Sequence, residues 1–257
     1  VKLFYEQHAG LSKQDTLFLH GNLASHRWWH PALKEMKKSA GPGRVVLSDW
    51  RGCGENEPWP SDRQFTIEDL AKDNLELLNS LNMTKEVALV GHSLGGLIAL
   101  QMMILDPQRF SRAVLLDPVG AKGVVFDESM YEAFRQMAAS AELTRMVILS
   151  TVMNSEDLAD DFKNKIADDA FKAVKGIGAS VLEILKTVDL TTGAAQVRVP
   201  TLIIHGENDA IIPKADSQAL QRIMPDAQLE ILPGGGHSWN VENPQAFTER
   251  VQKWLNG

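Results

Sequence analysis

The sequence predicts an α/β domain with a mostly parallel, doubly wound sheet and a helical segment inserted into it. Three observations carry this. Six short apolar runs rich in β-branched residues each end in a turn signal, which is how strands buried on both faces read: Thr16 to His20, Arg44 to Ser48, Val87 to Val90, Ala113 to Leu116, Thr201 to Ile204 and Gln228 to Leu232. Segments of helical period lie between them, and strands alternating with helices make parallel βαβ units. The third observation is an interruption: residues 119–199 contain no proline over 81 positions, while all eleven prolines lie elsewhere.

Taken in order, Lys2 to Gln7 is hairpin-like and suits an antiparallel edge strand. Thr66 to Leu81 places apolar residues at Ile67, Leu70, Ala71, Leu75, Leu78 and Leu81, one face of a helix. Leu94 to Leu105 is a second helix, apolar on most sides. In the proline-free stretch, apolar residues recur at Met130, Phe134, Met137 and Ala141, and again at Val174, Ile177, Val181, Ile184 or Leu185, and Val188. Both series fit amphipathic helices. Residues 120–188 carry eleven Asp and Glu against eight Lys and Arg, a charge of −3 that suits a solvated outer face. The expected organisation is a core of residues 1–118 and 189–257, with residues 119–188 as a helical lid. Four of the nine methionines and four of the nine phenylalanines fall in that segment, where they suit a lid core or an adaptable pocket roof.

Composition bounds the function. A chain of 257 residues that is 44% hydrophobic and 23% charged can bury a large core. Its net charge of −7 argues against binding driven by nucleic-acid phosphates. The longest apolar stretch, Leu94 to Leu105, is broken by two glycines and Gln101 and falls short of the roughly 18 residues of a membrane span. A single cysteine, Cys53, rules out an intrachain disulfide and a multi-thiolate metal site. Together with an N-terminus lacking an apolar signal core, it predicts a cytoplasmic setting.

The chemistry begins at Gly91-His92-Ser93-Leu94-Gly95, a G-x-S-x-G string running from a strand into a helix. That context lets the serine sit in a sharp, strained turn with its hydroxyl above the sheet. The helix N-terminus then offers the backbone N–H of Leu94 to developing negative charge. A serine hydroxyl needs a base to take its proton and a group to orient that base. Of seven histidines, His237 stands in a glycine loop, Pro233-Gly-Gly-Gly-His237, after the last strand, where an imidazole can reach back over the sheet edge. Two carboxylates stand at strand ends, Asp209 and Asp117. Asp209 follows the strand just before the histidine-bearing one and is the favoured acid; Asp117, ahead of Pro118, reads as a turn or capping residue.

With the order serine, acid, histidine in place, the chain resembles the α/β-hydrolase fold superfamily over nearly its whole length. The resemblance maps the catalytic triad onto Ser93, Asp209 and His237. The family's His-Gly oxyanion loop resembles His20-Gly21-Asn22, which implies that the N–H of Asn22 joins that of Leu94 as oxyanion donor while His20 braces the loop. The D-x-R-G-x-G-x-S turn resembles Asp49 to Asn56, with Asn56 in place of the usual serine.

Members with an aspartate nucleophile share the layout, but Ser93 implies an acyl-enzyme and attack on a carbonyl. The expectation is a serine hydrolase of a small carboxylic ester or lactone, requiring no metal or other cofactor. The alternatives are a C–C bond hydrolase of vinylogous diketones, cofactor-free haloperoxidase activity at the same triad, and a non-catalytic ligand receptor. Trp28, Met130, Phe134 and Met137 are the candidate substrate contacts, and His26, Arg27, Trp29 and His30 are further candidates for the acyl pocket wall. For Trp28 and Trp29, core packing is an equally good reading. His92 and Cys53 read as packed neighbours of the site.

Overall fold

A computed structural model of the chain describes residues 2–36, 41–60 and 63–257. Seven strands form one sheet: β1 (Tyr5–Ser12), β2 (Thr16–Leu19), β3 (Gly43–Ser48), β4 (Val87–His92), β5 (Phe110–Leu116), β6 (Thr201–Gly206) and β7 (Ala227–Leu232). Their order is β1-β3-β2-β4-β5-β6-β7. All pairs are parallel except β1 with β3, where Glu6 lies opposite Leu47, so the opening strand is the antiparallel edge expected of it.

Alternation along the strands sorts side chains into two cores, because successive residues point to opposite faces. Leu17, Leu19, Val46, Leu89, Leu115 and Ile203 enter one, whereas Phe18, Val45, Leu47, Val90, Leu116 and Ile204 enter the other. Both faces are therefore covered, as a parallel sheet requires. In chain order the helices are α1 (His30–Met36), α2 (Ile67–Ser80), α3 (Leu94–Leu105), α4 (Glu128–Ala139), α5 (Ala141–Ser150), α6 (Asp160–Gly176), α7 (Gly178–Thr187), α8 (Thr191–Ala194), α9 (Lys214–Ile223), α10 (Trp239–Glu242) and α11 (Pro244–Asn256). Helices α2, α3 and α9 pack in the first core; α1, α10 and α11 pack in the second. The start of α2 is fixed by a capping box, in which Thr66 Oγ1 accepts from Asp69 N–H and Asp69 accepts from Thr66 N–H.

The chain between β5 and β6 forms α4 to α8, with residues 119–188 holding α4 to α7. The two apolar series foreseen there are each divided. Ser140 ends α4 and caps α5, accepting from Leu143 N–H. The second series breaks at Gly176, where α6 stops and Ile177 turns the chain into α7. Helix α6 docks on the core through polar contacts: Asp169 accepts from Ser25 Oγ at 2.6 Å and Arg27 at 2.7 Å, and Lys172 donates to the carbonyls of Gly54 and Asn56. No described helix is long and apolar enough to cross a membrane.

One of the tightest backbone approaches in the core lies where β4 passes into α3. A Cβ added at Gly95 would stand 2.1 Å from the Leu19 carbonyl oxygen, and one at Gly91 would stand 2.5 Å from the Gly95 carbonyl oxygen. Backbone therefore packs on backbone, and nothing flexible can give way. Gly95→Ala should cost about 3 kcal/mol or more of stability, seen as a lower midpoint in urea unfolding.

Candidate active site

Ser93 occupies the single residue between β4 and α3, with φ 54° and ψ −119°. A non-glycine residue there is strained, and the surroundings hold it. Ser93 N–H donates to the Leu116 carbonyl at 2.9 Å, and its own carbonyl accepts from Gly96 and Val119. Leu94 opens α3, with the unsatisfied N–H of a helix N-terminus. The His20-Gly21-Asn22 loop lies directly against the turn, since a Cβ at Gly21 would come within 3.1 Å of Ser93 Cβ. His20 is fully buried; it donates Nδ1–H to the Gly21 carbonyl at 2.8 Å and stacks on Trp50, with ring centroids 5.3 Å apart. Burial depresses its pKa, so the ring is a neutral brace.

The histidine and acid foreseen in the sequence meet. His237 Nδ1 donates to Asp209 Oδ2 at 2.8 Å, while Asp209 Oδ1 accepts from the N–H groups of Ile211 and Ile212. Burial alone would raise the Asp209 pKa, but the His237 hydrogen bond and charge, with the two backbone donors, hold it below the usual carboxylate range. The bond at Nδ1 leaves His237 Nε2 available to take a proton. Ser93 is 7% and His237 8% exposed, so both keep a narrow opening to solvent.

His92 connects the two halves of the site. Its Nε2–H donates to the His237 carbonyl at 2.8 Å, and the two rings lie 4.8 Å apart. Ser93 follows His92 in the chain, so this bond brings the His237 backbone to the nucleophile turn. Burial and the neighbouring His237 push the His92 pKa down to about 3, which keeps its ring neutral and its donor role fixed. His92 is packed, as expected, and it also positions the loop.

Asp117 caps no helix. Fully buried at φ 43°, it accepts from Gly206 N–H at 2.8 Å through Oδ1. Its Oδ2 has no N–H or hydroxyl donor among the described residues and lies against the Asp209 carboxyl. Acceptor or donor atoms of Asp117, His205 and Asp209 all fall within 4.8 Å of one another. Burial, reinforced by the Asp209 charge, drives the Asp117 pKa well above the usual range. Of two adjacent carboxyls, Asp209 is thus held toward the ionised form and Asp117 toward the protonated one.

Glu242 is a positioning residue that sequence reasoning missed. Its carboxylate accepts from Gly236 N–H at 2.8 Å and from Ser238 N–H at 3.2 Å, gripping the chain on both sides of His237, and also from Met153 N–H of the segment between β5 and β6. The available signal is the acid placed just beyond a glycine run, whose exposed N–H groups need an acceptor. Asn56 takes over at the family's serine position: its Nδ2 donates to the carbonyls of Asp49 and Trp50, and its Oδ1 accepts from Phe4 N–H.

The candidate substrate contacts separate. Trp28 is buried, its ring 6.4 Å from that of His92, with Nε1 unpartnered among the described residues. Met137 is buried in the core, Phe134 packs against Gly178 of α7, and Met130 is 37% exposed in the first turn of α4. Trp29 belongs to the core on the far face of the sheet, stacked on Phe247. His26 and His30 turn toward Glu6 of the edge strand, whose carboxylate lies 3.1 and 3.0 Å from their Nε2 atoms.

Comparisons with known proteins bear on the fold and the family. Over its full length the chain is similar to "Putative carbamate hydrolase RutD" of Variovorax paradoxus, at 27% identity over 99% of this chain and 96% of that one. Among solved structures it is similar to the esterase RhEst1 from Rhodococcus sp. ECU1013, with TM-score 0.84 and 18% identity over 99% of this chain and 94% of that one. The enol-lactonase from Burkholderia xenovorans LB400 gives TM-score 0.84 and 22% identity, covering 99% and 96%. The model of the alpha/beta hydrolase fold matches residues 17–244. With the parallel sheet, the strained serine turn and this match over most of its length, the chain belongs to the α/β-hydrolase fold family.

Proposed function

We propose that the protein is a serine hydrolase that cleaves a small carboxylic ester or lactone through an acyl-enzyme on Ser93. The observation that carries the reading is the 2.8 Å bond from His237 Nδ1 to Asp209, on a loop that His92 ties to the Ser93 turn. In this mechanism His237 Nε2 takes the hydroxyl proton as Ser93 attacks the carbonyl, and the backbone N–H groups of Leu94 and Asn22 hold the oxyanion. The imidazolium returns the proton to the leaving oxygen. A water, deprotonated by the same imidazole, then releases the acid. Helices α4 to α7 act as the lid that keeps bulk water from the acyl group, with Trp28, Phe134 and Met137 bearing on which substrates fit. The fold likeness to an esterase and an enol-lactonase supports this class.

A second reading is favoured by the full-length likeness to the carbamate hydrolase relative. The same residues would attack a carbamate carbonyl and expel its alcohol, leaving a carbamoyl-enzyme whose hydrolysis gives a carbamic acid that breaks down to CO2 and an amine. A panel of p-nitrophenyl esters of graded chain length, lactones and carbamates separates the two by relative kcat/KM. Saturable binding of panel compounds with no turnover of any of them would instead identify a receptor.

A fluorophosphonate probe should label Ser93 alone, as read by mass spectrometry of the modified peptide; labelling elsewhere would refute the nucleophile. Ser93→Ala and His237→Ala should each lower kcat by several orders of magnitude, and the double variant should lose little more, because the pair acts as one unit.

The two carboxyls give opposite expectations. Asp209→Asn should lower kcat by roughly 10⁴-fold, since the amide presents the wrong partner to the imidazole. Asp117→Asn should cost no more than about tenfold, because the amide keeps the acceptor for Gly206 and donates an N–H toward Asp209. Its stability should change with pH. Above about pH 4 the unfolded chain ionises Asp117 while the folded chain holds the proton, so the parent loses about 1.4 kcal/mol per pH unit until the raised folded pKa is passed. Asp117→Asn lacks that loss, so its stability relative to the parent should rise with pH in urea unfolding series.

A further inference from the structure

At the edge of the sheet, away from Ser93, three imidazoles converge on one carboxylate. Glu6 and His8 lie two residues apart on β1 and so share a face of the strand. His26 opens a short 3-10 helix and His30 opens α1, four residues on. The Nε2 atoms of His8 and His30 stand 3.3 and 3.0 Å from Glu6 Oε2, and that of His26 stands 3.1 Å from Oε1. One donor atom from each of Glu6, His26 and His30 can be chosen so that all three lie within 4.8 Å of one another.

We propose that Glu6, His26 and His30 form a binding site for a divalent transition-metal ion of the zinc class, separate from the reaction centre. The donor set is two imidazole nitrogens and one carboxylate oxygen, with a fourth position left for water, the chemistry that suits zinc, cobalt or nickel and is a poor match for magnesium or calcium. The spacing fits as well. Ligands about 2.0–2.1 Å from a tetrahedral ion stand about 3.3 Å from each other, close to the 3.1 and 3.0 Å between the Glu6 carboxylate and the Nε2 atoms of His26 and His30.

The outer contacts of the site are those of a metal-bound histidine. His26 is buried, and its Nδ1 is bonded to Asp49 Oδ2 at 2.8 Å, which turns Nε2 toward the cluster. Asp49 is itself anchored by the N–H groups of His26 and Glu55. A carboxylate behind a ligating imidazole fixes the ring and strengthens the nitrogen as a ligand. The nearest fixed cation, Arg27, is taken up by Asp169 and Glu55.

The site clips the antiparallel edge strand to the segment that leads from the Asn22 loop to Trp28. Strands β3 and β2 separate β1 from β4, so the ion would lie about 14 Å across the sheet from the Ser93 strand. It takes no part in bond cleavage.

The test uses untagged protein stripped with EDTA, titrated with Zn²⁺ by calorimetry and with Co²⁺ by visible absorption. The parent should bind one equivalent and show the intense visible bands of four-coordinate cobalt. Glu6→Gln and His30→Ala, both at partly exposed positions, should each weaken binding at least tenfold while keeping the circular dichroism of the parent. Because His92, Asp117 and His237 also cluster within 4.8 Å, His237→Ala is the control and should bind as the parent does. Absence of binding in the parent, binding unaffected by Glu6→Gln and His30→Ala, or binding lost in His237→Ala would overturn the proposal. None of these readouts uses hydrolase activity, so the result stands apart from the substrate question.

Discussion

Strand β4 and helix α3 can meet only if the chain reverses within one residue, and that residue is Ser93 at φ 54°. A left-handed serine is unfavourable by itself, so the reversal has to be held from several directions. Hydrogen bonds to the Leu116 carbonyl and from the N–H groups of Gly96 and Val119 hold it along the backbone. Contact between α3 and the end of β2 at Gly95 holds it from the side, because only a missing Cβ lets the Leu19 carbonyl approach. Core packing on both faces of the sheet therefore serves one local outcome, a hydroxyl displayed at the helix N-terminus.

Around that turn the polar groups divide into charged and neutral by burial and proximity. Asp209 is favoured in its charged form because His237 and two backbone N–H groups face it; burial and the Asp209 charge push Asp117 the other way. His20 and His92 are held neutral by burial and spend their ring protons on the backbone carbonyls of Gly21 and His237. The result is a set of fixed dipoles around one ionised acid, an arrangement that needs little reorganisation when charge develops nearby.

The sheet and the two helices that flank the serine were legible because their signals are local: unbroken apolar runs for strands buried on both sides, glycines at fixed offsets, and Thr66 opening a helix. Asp209 and His237 were legible through their order after strands. The partners that align them were not. His92 meets His237 across 145 positions and Asp117 meets Gly206 across 89, and no periodicity encodes such pairings. His26 and His30 sit next to Trp28 in the chain, which drew them toward the pocket on paper. The short 3-10 turn rotates them instead to the sheet edge, where Glu6 arrives from a strand some twenty residues earlier. The apolar series between β5 and β6 continued past Ser140 and Gly176 because hydrophobic spacing is blind to a cap or a kink that changes the helix axis.

Glu242 accepts hydrogen bonds from both sides of His237 and from Met153, and Asn154 in turn donates to the Glu242 carbonyl. One side chain is thus a joint between the inserted helices and the imidazole's loop. Any outward swing of residues 153–154 takes a donor from that joint, so the seating of the inserted segment and the placement of the His237 imidazole draw on the same small set of bonds. Mutations far out on the insertion would then register as altered imidazole placement.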